Sequence, residues 1–211
     1  MSDLTFRTKD ITSLFPSASY REFRSEILRK SIHFLIGLSP LLAALSYPVT
    51  VILLSAGILG YVQMESLRLA GFKVPVVSNL TSMASRSRDR GRFVLGPVTL
   101  GLGALLALVL YPTPAASIAI YALAFGDGFA SLVGRFFGRI RPSFLRGKSL
   151  EGSLACFTAV LAAAYQVSRD FRLALIAAFA ATVTEALPLE DYDNLALPLV
   201  VGLVVSIASG L

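Results

Sequence analysis

Apolar and polar stretches alternate along the 211 residues with a long period. Seven apolar runs stand out, at 32–47, 49–64, 93–111, 115–134, 152–167, 173–187 and 195–210. Each is close to the ~17–25 residues a membrane-crossing helix needs, and none alternates with the two-residue period of a strand. "LSYPVT" (45–50) and "YPTPA" (111–115) read as tight proline turns between antiparallel neighbours. The expected fold is an all-α, polytopic membrane bundle of about seven transmembrane helices. Residues 1–25 form a polar N-terminal segment, amphipathic or flexible, ahead of one transmembrane domain over 26–211.

Charge supplies the orientation. Of the 19 Lys and Arg, seventeen fall before the first run, between the second and third, or between the fourth and fifth; Arg169 and Arg172 alone lie elsewhere. Basic loops stay on the cytoplasmic side. The N-terminus is therefore expected inside and the C-terminus outside. Composition agrees with membrane residence: 55% of residues are hydrophobic, 15% charged, and the mean hydropathy is +0.72, against about 25% charged in soluble domains. The net charge of +6 is thus a matter of topology, and no nucleic-acid partner is expected. One cysteine, Cys156, allows no internal disulfide, and the polar N-terminus carries no signal-peptide pattern. A multi-pass protein of a prokaryotic cytoplasmic membrane is the expected setting.

The acids then become informative. Glu65, Asp127, Glu151, Glu185, Asp191 and Asp193 all fall at the ends of runs that face the basic loops. A carboxylate inside a span costs about 2.5–3.5 kcal/mol on insertion scales and marks a cavity or functional site. In "GDG" (126–128) the glycines let backbone approach a ligand, and Asp127 suits a divalent metal; pairing with Arg135 or Arg139 is the plainer alternative. "RGKSLEGS" (146–153) is not a Walker A loop, because Pro142 stands at its first glycine position and no strand precedes it. It still places Lys148 and Ser149 at a helix start, where anions are favoured. Lys148 reads as a phosphate ligand or a topology-setting cation, Ser149 as an N-cap, and Glu151 as a metal ligand or a favourable charge at the helix N-terminus.

Three weaker constellations follow. Glu26, Arg29, Lys30 and the sole histidine, His33, lie at i, i+3, i+4 and i+7, so one helix face carries them all. "EALPLEDYDNLALP" (185–198) gathers Glu185, Asp193 and Asn194 as metal or nucleotide contacts, or as an acidic turn with an N-cap. "MESLRLAGFKVP" (64–75) puts Glu65 three residues before Arg68, and the basic stretch 78–92 is either a lid over an anionic substrate or a topology anchor.

Taken in order, "EILRKSIH", "ESLRLAGFKVP", "GDGFASLVGRFFG", "GKSLEGSLA" and "LPLEDYDNLALP" resemble the CTP-dependent lipid-alcohol kinases: phytol kinases, dolichol or polyprenol kinases and CTP-type diacylglycerol kinases. The resemblance runs over about residues 26–200. It departs from the longer eukaryotic dolichol kinases, and "DNLALP" replaces a more β-branched closing motif. It implies transfer of the γ-phosphoryl of CTP to a membrane lipid alcohol, with Mg²⁺. The nucleotide block it implies falls on Asp127, Gly128, Gly134, Gly138, Lys148, Ser149, Glu151 and Gly152; Gly126 and Arg135, with Arg29 and Lys30 from the first helix, are further nucleotide-binding candidates. Metal would fall to Asp127, Glu151, Asp193, Asn194 and Glu185, and Glu65 or His33 would orient the hydroxyl. A CDP-lipid synthase is the neighbouring reading, distinguished by which phosphate stays on the lipid. A small transporter is the distant one, disfavoured by featureless span centres such as "LGALLALVL" (102–110). Small-residue stretches at 101–107 and 177–182 are suited to close helix packing, including a homo-oligomer.

Overall fold

The structure is a computed structural model that describes residues 20–72, 92–145, 147–189 and 192–210. Most of those residues are helical, and there is no strand among them. α1 (Tyr20–Ile36) and α2 (Ser39–Leu45) form one broken path, followed by α3 (Tyr47–Leu69) and α4 (Gly96–Leu110). α5 (Ala115–Tyr121), a π-helical turn (Ala122–Asp127) and α6 (Gly128–Phe136) run on as a single 22-residue helix. After a 3₁₀ turn at Ser143–Leu145 come α7 (Leu150–Ser168), α8 (Phe171–Ala186) and α9 (Asp193–Ser209).

Every apolar run of the sequence therefore carries a helix. Four paths, Glu26–Leu45, Tyr47–Leu69, Ala115–Phe136 and Leu150–Ser168, are long and apolar enough to cross a membrane, and Gly96–Leu110 and Asp193–Ser209 are shorter apolar helices. Prolines open α2, α3 and α4 near their first turns, where a missing N–H costs nothing. Asp170 caps α8, accepting from the N–H groups of Arg172 and Leu173 at 2.8 and 3.2 Å. Helix begins at Tyr20, earlier than the expected boundary at residue 26, and the first path breaks at Gly37–Leu38. A Cβ on Gly37 would sit 3.1 Å from Ala124 Cβ, so the break lies where the first path crosses the π turn.

Ala115–Phe136 is the axis of the bundle, with 61% of its apolar window buried, against 6% for α3. α7, α8 and α9 pack around it, and their facing side chains (Ile118, Leu123, Val160, Ala177, Ala181, Leu197) form the main core. α3 packs on α4 at the periphery and leaves Ile52, Leu53 and Leu59 exposed, as a lipid-facing helix should. The small-residue stretches serve packing within the chain. A Cβ on Gly103 would meet Asn194 O at 2.2 Å, one on Gly101 would meet Ile58, and Ala177, Ala178 and Ala181 are fully buried.

Candidate functional site

The π turn decides where Asp127 points. A π turn adds a residue to the helical register and turns the following side chain, a device common at functional sites. Asp127 is its last residue and is buried. The sequence placed it late in the run 115–134, and the helix indeed continues past it, to Phe136. A buried charge there requires partners, and α1 supplies them. Lys30 Nζ donates to Asp127 Oδ2 at 2.5 Å, and His33 Nδ1 lies 3.1 Å from the same oxygen. The plainer alternative, a pairing with Arg135 or Arg139, did not anticipate this contact across 97 residues of chain. Lys30 and His33, themselves buried, share their face of α1 because they are three residues apart.

Lys148 and two more acids surround this centre. Lys148 Nζ is 3.0 Å from Glu185 Oε1 and also donates to the Glu185 backbone carbonyl. Lys148, Glu185 and Asp193 all lie within electrostatic reach of Asp127. Thus Asp127, Lys148, His33, Lys30, Glu185 and Asp193, drawn from five separate stretches of sequence, form one polar cluster.

Beside it opens a cavity of about 430 Å³. Four of its lining side chains are cations, Arg29, Arg135, Arg141 and Lys148, and two are acids, Glu26 and Glu185. Ser131, Gly134, Ser149 and Gly152 complete much of the wall. Guanidinium forks and an ammonium converging on one polar concavity make an anion site, and their number suits a polyanion. The loop between α6 and α7 is braced to present them. Arg141 donates to the carbonyls of Gly134 and Gly147, and Leu150 N donates to Ile140 O at 3.0 Å.

The remaining expected residues have other engagements. Glu151 is exposed to that loop and accepts from the backbone N–H groups of Arg139 and Ile140 at 3.0 and 3.1 Å. Asn194 donates to Thr99 Oγ1 at 3.1 Å, tying the start of α9 to the start of α4. Ser149 is the N-cap of α7, accepting from Gly152 N at 3.1 Å. The glycines sit at close crossings. A Cβ on Gly152 would lie 2.7 Å from Ala130 O, one on Gly138 would collide with Gly134 O, and one on Gly126 would reach Val160 at 2.7 Å. Gly128 faces Phe34 at 2.8 Å in the same way. Glu65 is fully buried at a different node: Arg68 donates to both its oxygens at 2.7 Å, and Val94 N donates at 3.0 Å. Asp191 and most of the 78–92 stretch lie outside the described residues. Of the lining residues, sequence reasoning named Glu26 only as part of the α1 face, and it did not single out Ala130, Ser131 or Arg141. Glu26 had a signal in its spacing to Arg29, and Ser131 in its spacing to Asp127, whose carbonyl its hydroxyl bonds at 2.7 Å.

Among the described residues no three His, Cys, Asp or Glu side chains converge as a metal cage. Magnesium that travels on a nucleotide needs only one or two carboxylates besides the phosphates. Glu185 Oε2, buried with no hydrogen-bond partner, fits that lesser demand.

Fold and site together define a helical membrane protein with a cationic cavity beside a buried acid–base cluster. No protein-family profile and no solved structure matches the chain. It is 30% identical over 149 residues to "Probable phytol kinase, chloroplastic" of Triticum aestivum, covering 62% of this chain and 50% of that protein. It is 31% identical over 147 residues to "Farnesol kinase, chloroplastic" of Arabidopsis thaliana, covering 65% and 46%. A shorter match, 39% over 56 residues, is to "CTP-dependent diacylglycerol kinase 1" of Eremothecium gossypii, covering 26% and 18%. The chain is thus similar to kinases of lipid alcohols: two named for isoprenoid alcohols and, over a shorter stretch, one named for diacylglycerol. It spans about half the length of the two plant proteins. Their names place them in chloroplasts, which lends no support to a prokaryotic cytoplasmic membrane for this chain.

Proposed function

We propose that the protein is a lipid-alcohol kinase that moves the γ-phosphoryl group of CTP to the hydroxyl of a membrane lipid alcohol. The observation that carries this reading is the four-cation cavity set against the buried Asp127 cluster, within a bundle whose outer helices are lipid-facing. CTP as donor is supported by the name of the fungal relative, and an isoprenoid acceptor by the names of the two plant relatives. In the bilayer the helices form seven spans, with the basic loops, the cavity and the N-terminus on the cytoplasmic side and the C-terminus outside.

In this reading Arg29, Arg135, Arg141 and Lys148 neutralise the triphosphate. Lys148 serves as a point charge and the arginines as forks. Phosphoryl transfer depends chiefly on positioning and charge neutralisation. The alcohol oxygen bonds to the γ-phosphorus as the bond to the β–γ bridging oxygen breaks; CDP leaves, and the hydroxyl proton passes to the Asp127–His33 pair. Of the two residues considered for orienting the hydroxyl, His33 is favoured by its 3.1 Å approach to Asp127. Magnesium carried on the nucleotide would be held by Glu185 with Asp127 or Asp193, where it would offset charge on the transferring group. The test is an acceptor screen. Purified protein in lipid nanodiscs receives CTP and phytol, farnesol, a polyprenol or diacylglycerol, and lipid monophosphates are sought by mass spectrometry. A lipid monophosphate from one of these alcohols is expected; no phosphorylated alcohol from any of them contradicts the reading.

A further inference from the structure

A carboxylate in the wall of a cavity lined by cations calls for an explanation, and Glu26 is such a carboxylate. Its oxygens accept from Arg29 Nη2 at 2.7 and 2.9 Å, and its Oε2 accepts from Arg135 Nη1 at 3.4 Å. The three residues join α1 to α6 across 109 positions of sequence. The exposures order them in depth: the Glu26 side chain is 4% exposed, that of Arg29 22% and that of Arg135 40%. The acid lies beneath and the guanidiniums lie above it. An acid that occupied the place of an anionic ligand would have the opposite arrangement, with the carboxylate outermost.

Two guanidiniums on one wall repel each other, and that repulsion would spread them apart. A buried carboxylate shared between them offsets it. Each guanidinium carries five N–H donors. The contacts with Glu26 engage Nη2 of Arg29 and Nη1 of Arg135, and both side chains line the cavity. We propose that Glu26 is a positioning residue that holds Arg29 and Arg135 side by side as an anion clamp for the nucleotide's polyphosphate. The proposal rests on reading the cavity as the nucleotide site.

The test is a mutant cycle on CTP affinity, measured by titration calorimetry of the full chain in detergent micelles. Glu26→Gln is compared in two backgrounds, the native chain and Arg29→Gln/Arg135→Gln. In the native background Glu26→Gln weakens CTP binding about tenfold, equivalent to about 1.4 kcal/mol. With both arginines removed, Glu26→Gln produces no further loss, because its effect passes through them. A general structural role would give the same loss in both backgrounds, and that result overturns the proposal. Tighter CTP binding by Glu26→Gln also overturns it, since the acid would then compete with phosphate. If Arg29→Gln/Arg135→Gln binds CTP as the native chain does, the cavity reading fails and the clamp with it. If Glu26→Gln does not fold, Glu26→Asp keeps the charge but withdraws the carboxylate. The same cycle is then run with it, and an unchanged CTP affinity in the native background contradicts the clamp.

Discussion

Glu65 and Asp127 are both buried carboxylates of this bundle, and they are held in opposite ways. Glu65 is held locally: its arginine lies one helical turn away, and Val94, just ahead of α4, completes its coordination. Asp127 is held by α1, 97 residues away in sequence, through Lys30 and His33, with Lys148 within electrostatic reach from a third stretch. A local pair needs only one helix and the residues that close on its end. The Asp127 cluster requires α1, the π turn and the loop before α7 all in place. Several kcal/mol of desolvation weigh against each buried ion, so a long-range cluster beside a cavity invites a functional explanation.

The sharpest way to break this comparison is to neutralise each acid. Asp127→Asn should lower phosphoryl transfer by about 100-fold or more, measured as turnover of folded protein recovered by size exclusion. Glu65→Gln should act mainly on stability, lowering it by about 3 kcal/mol in denaturation while the folded fraction keeps turnover within about twofold. If the two variants exchange these phenotypes, the assignment of site and structural node is reversed. Lys148→Ala should raise the KM for CTP about 30-fold, from the loss of a charged hydrogen bond of about 2 kcal/mol. An unchanged KM would leave Lys148 as a topology cation tied to Glu185.

Gly152→Ala probes the packing beneath the cavity. Its new methyl would meet Ala130 O at 2.7 Å and must part α6 from α7. A stability loss of about 1–3 kcal/mol is expected in a thermal melt. The smallest effect separates two roles for Glu151. A side-chain amide oxygen can still accept the Arg139 and Ile140 N–H groups, so Glu151→Gln should alter turnover by less than about twofold. A large loss that is restored by excess magnesium would return Glu151 to the metal set.

Much of the architecture was legible because membrane helices announce themselves by length and apolarity. All seven runs carry helices whose ends fall within a few residues of expectation, apart from the earlier start at Tyr20. Local pairs were legible too, since Glu26–Arg29 and Glu65–Arg68 are i, i+3 neighbours. The partner of Asp127 was not, because periodicity within α1 says which residues share a face but not what that face meets. The π turn has no periodic signature, so the sequence placed Asp127 late in the run 115–134 without showing which way its side chain turns. The glycines of the 126–152 block suggested ligand contact, yet Gly126, Gly128, Gly134, Gly138 and Gly152 also sit where a Cβ would press on a neighbouring helix, loop or side chain. Glu151 and Asn194 had the chemistry of metal ligands, but the backbone of residues 139–140 and Thr99 engage them first.

The central claim, that the cavity presents the γ-phosphoryl of CTP to a lipid hydroxyl, is tested most directly by the fate of two labels. Native protein in nanodiscs is given its lipid alcohol and CTP labelled at either the α or the γ phosphate, and the lipid and aqueous phases are counted. The account predicts γ label in the lipid and α label in water. Label from the α phosphate in the lipid would contradict it and indicate cytidylyl transfer instead.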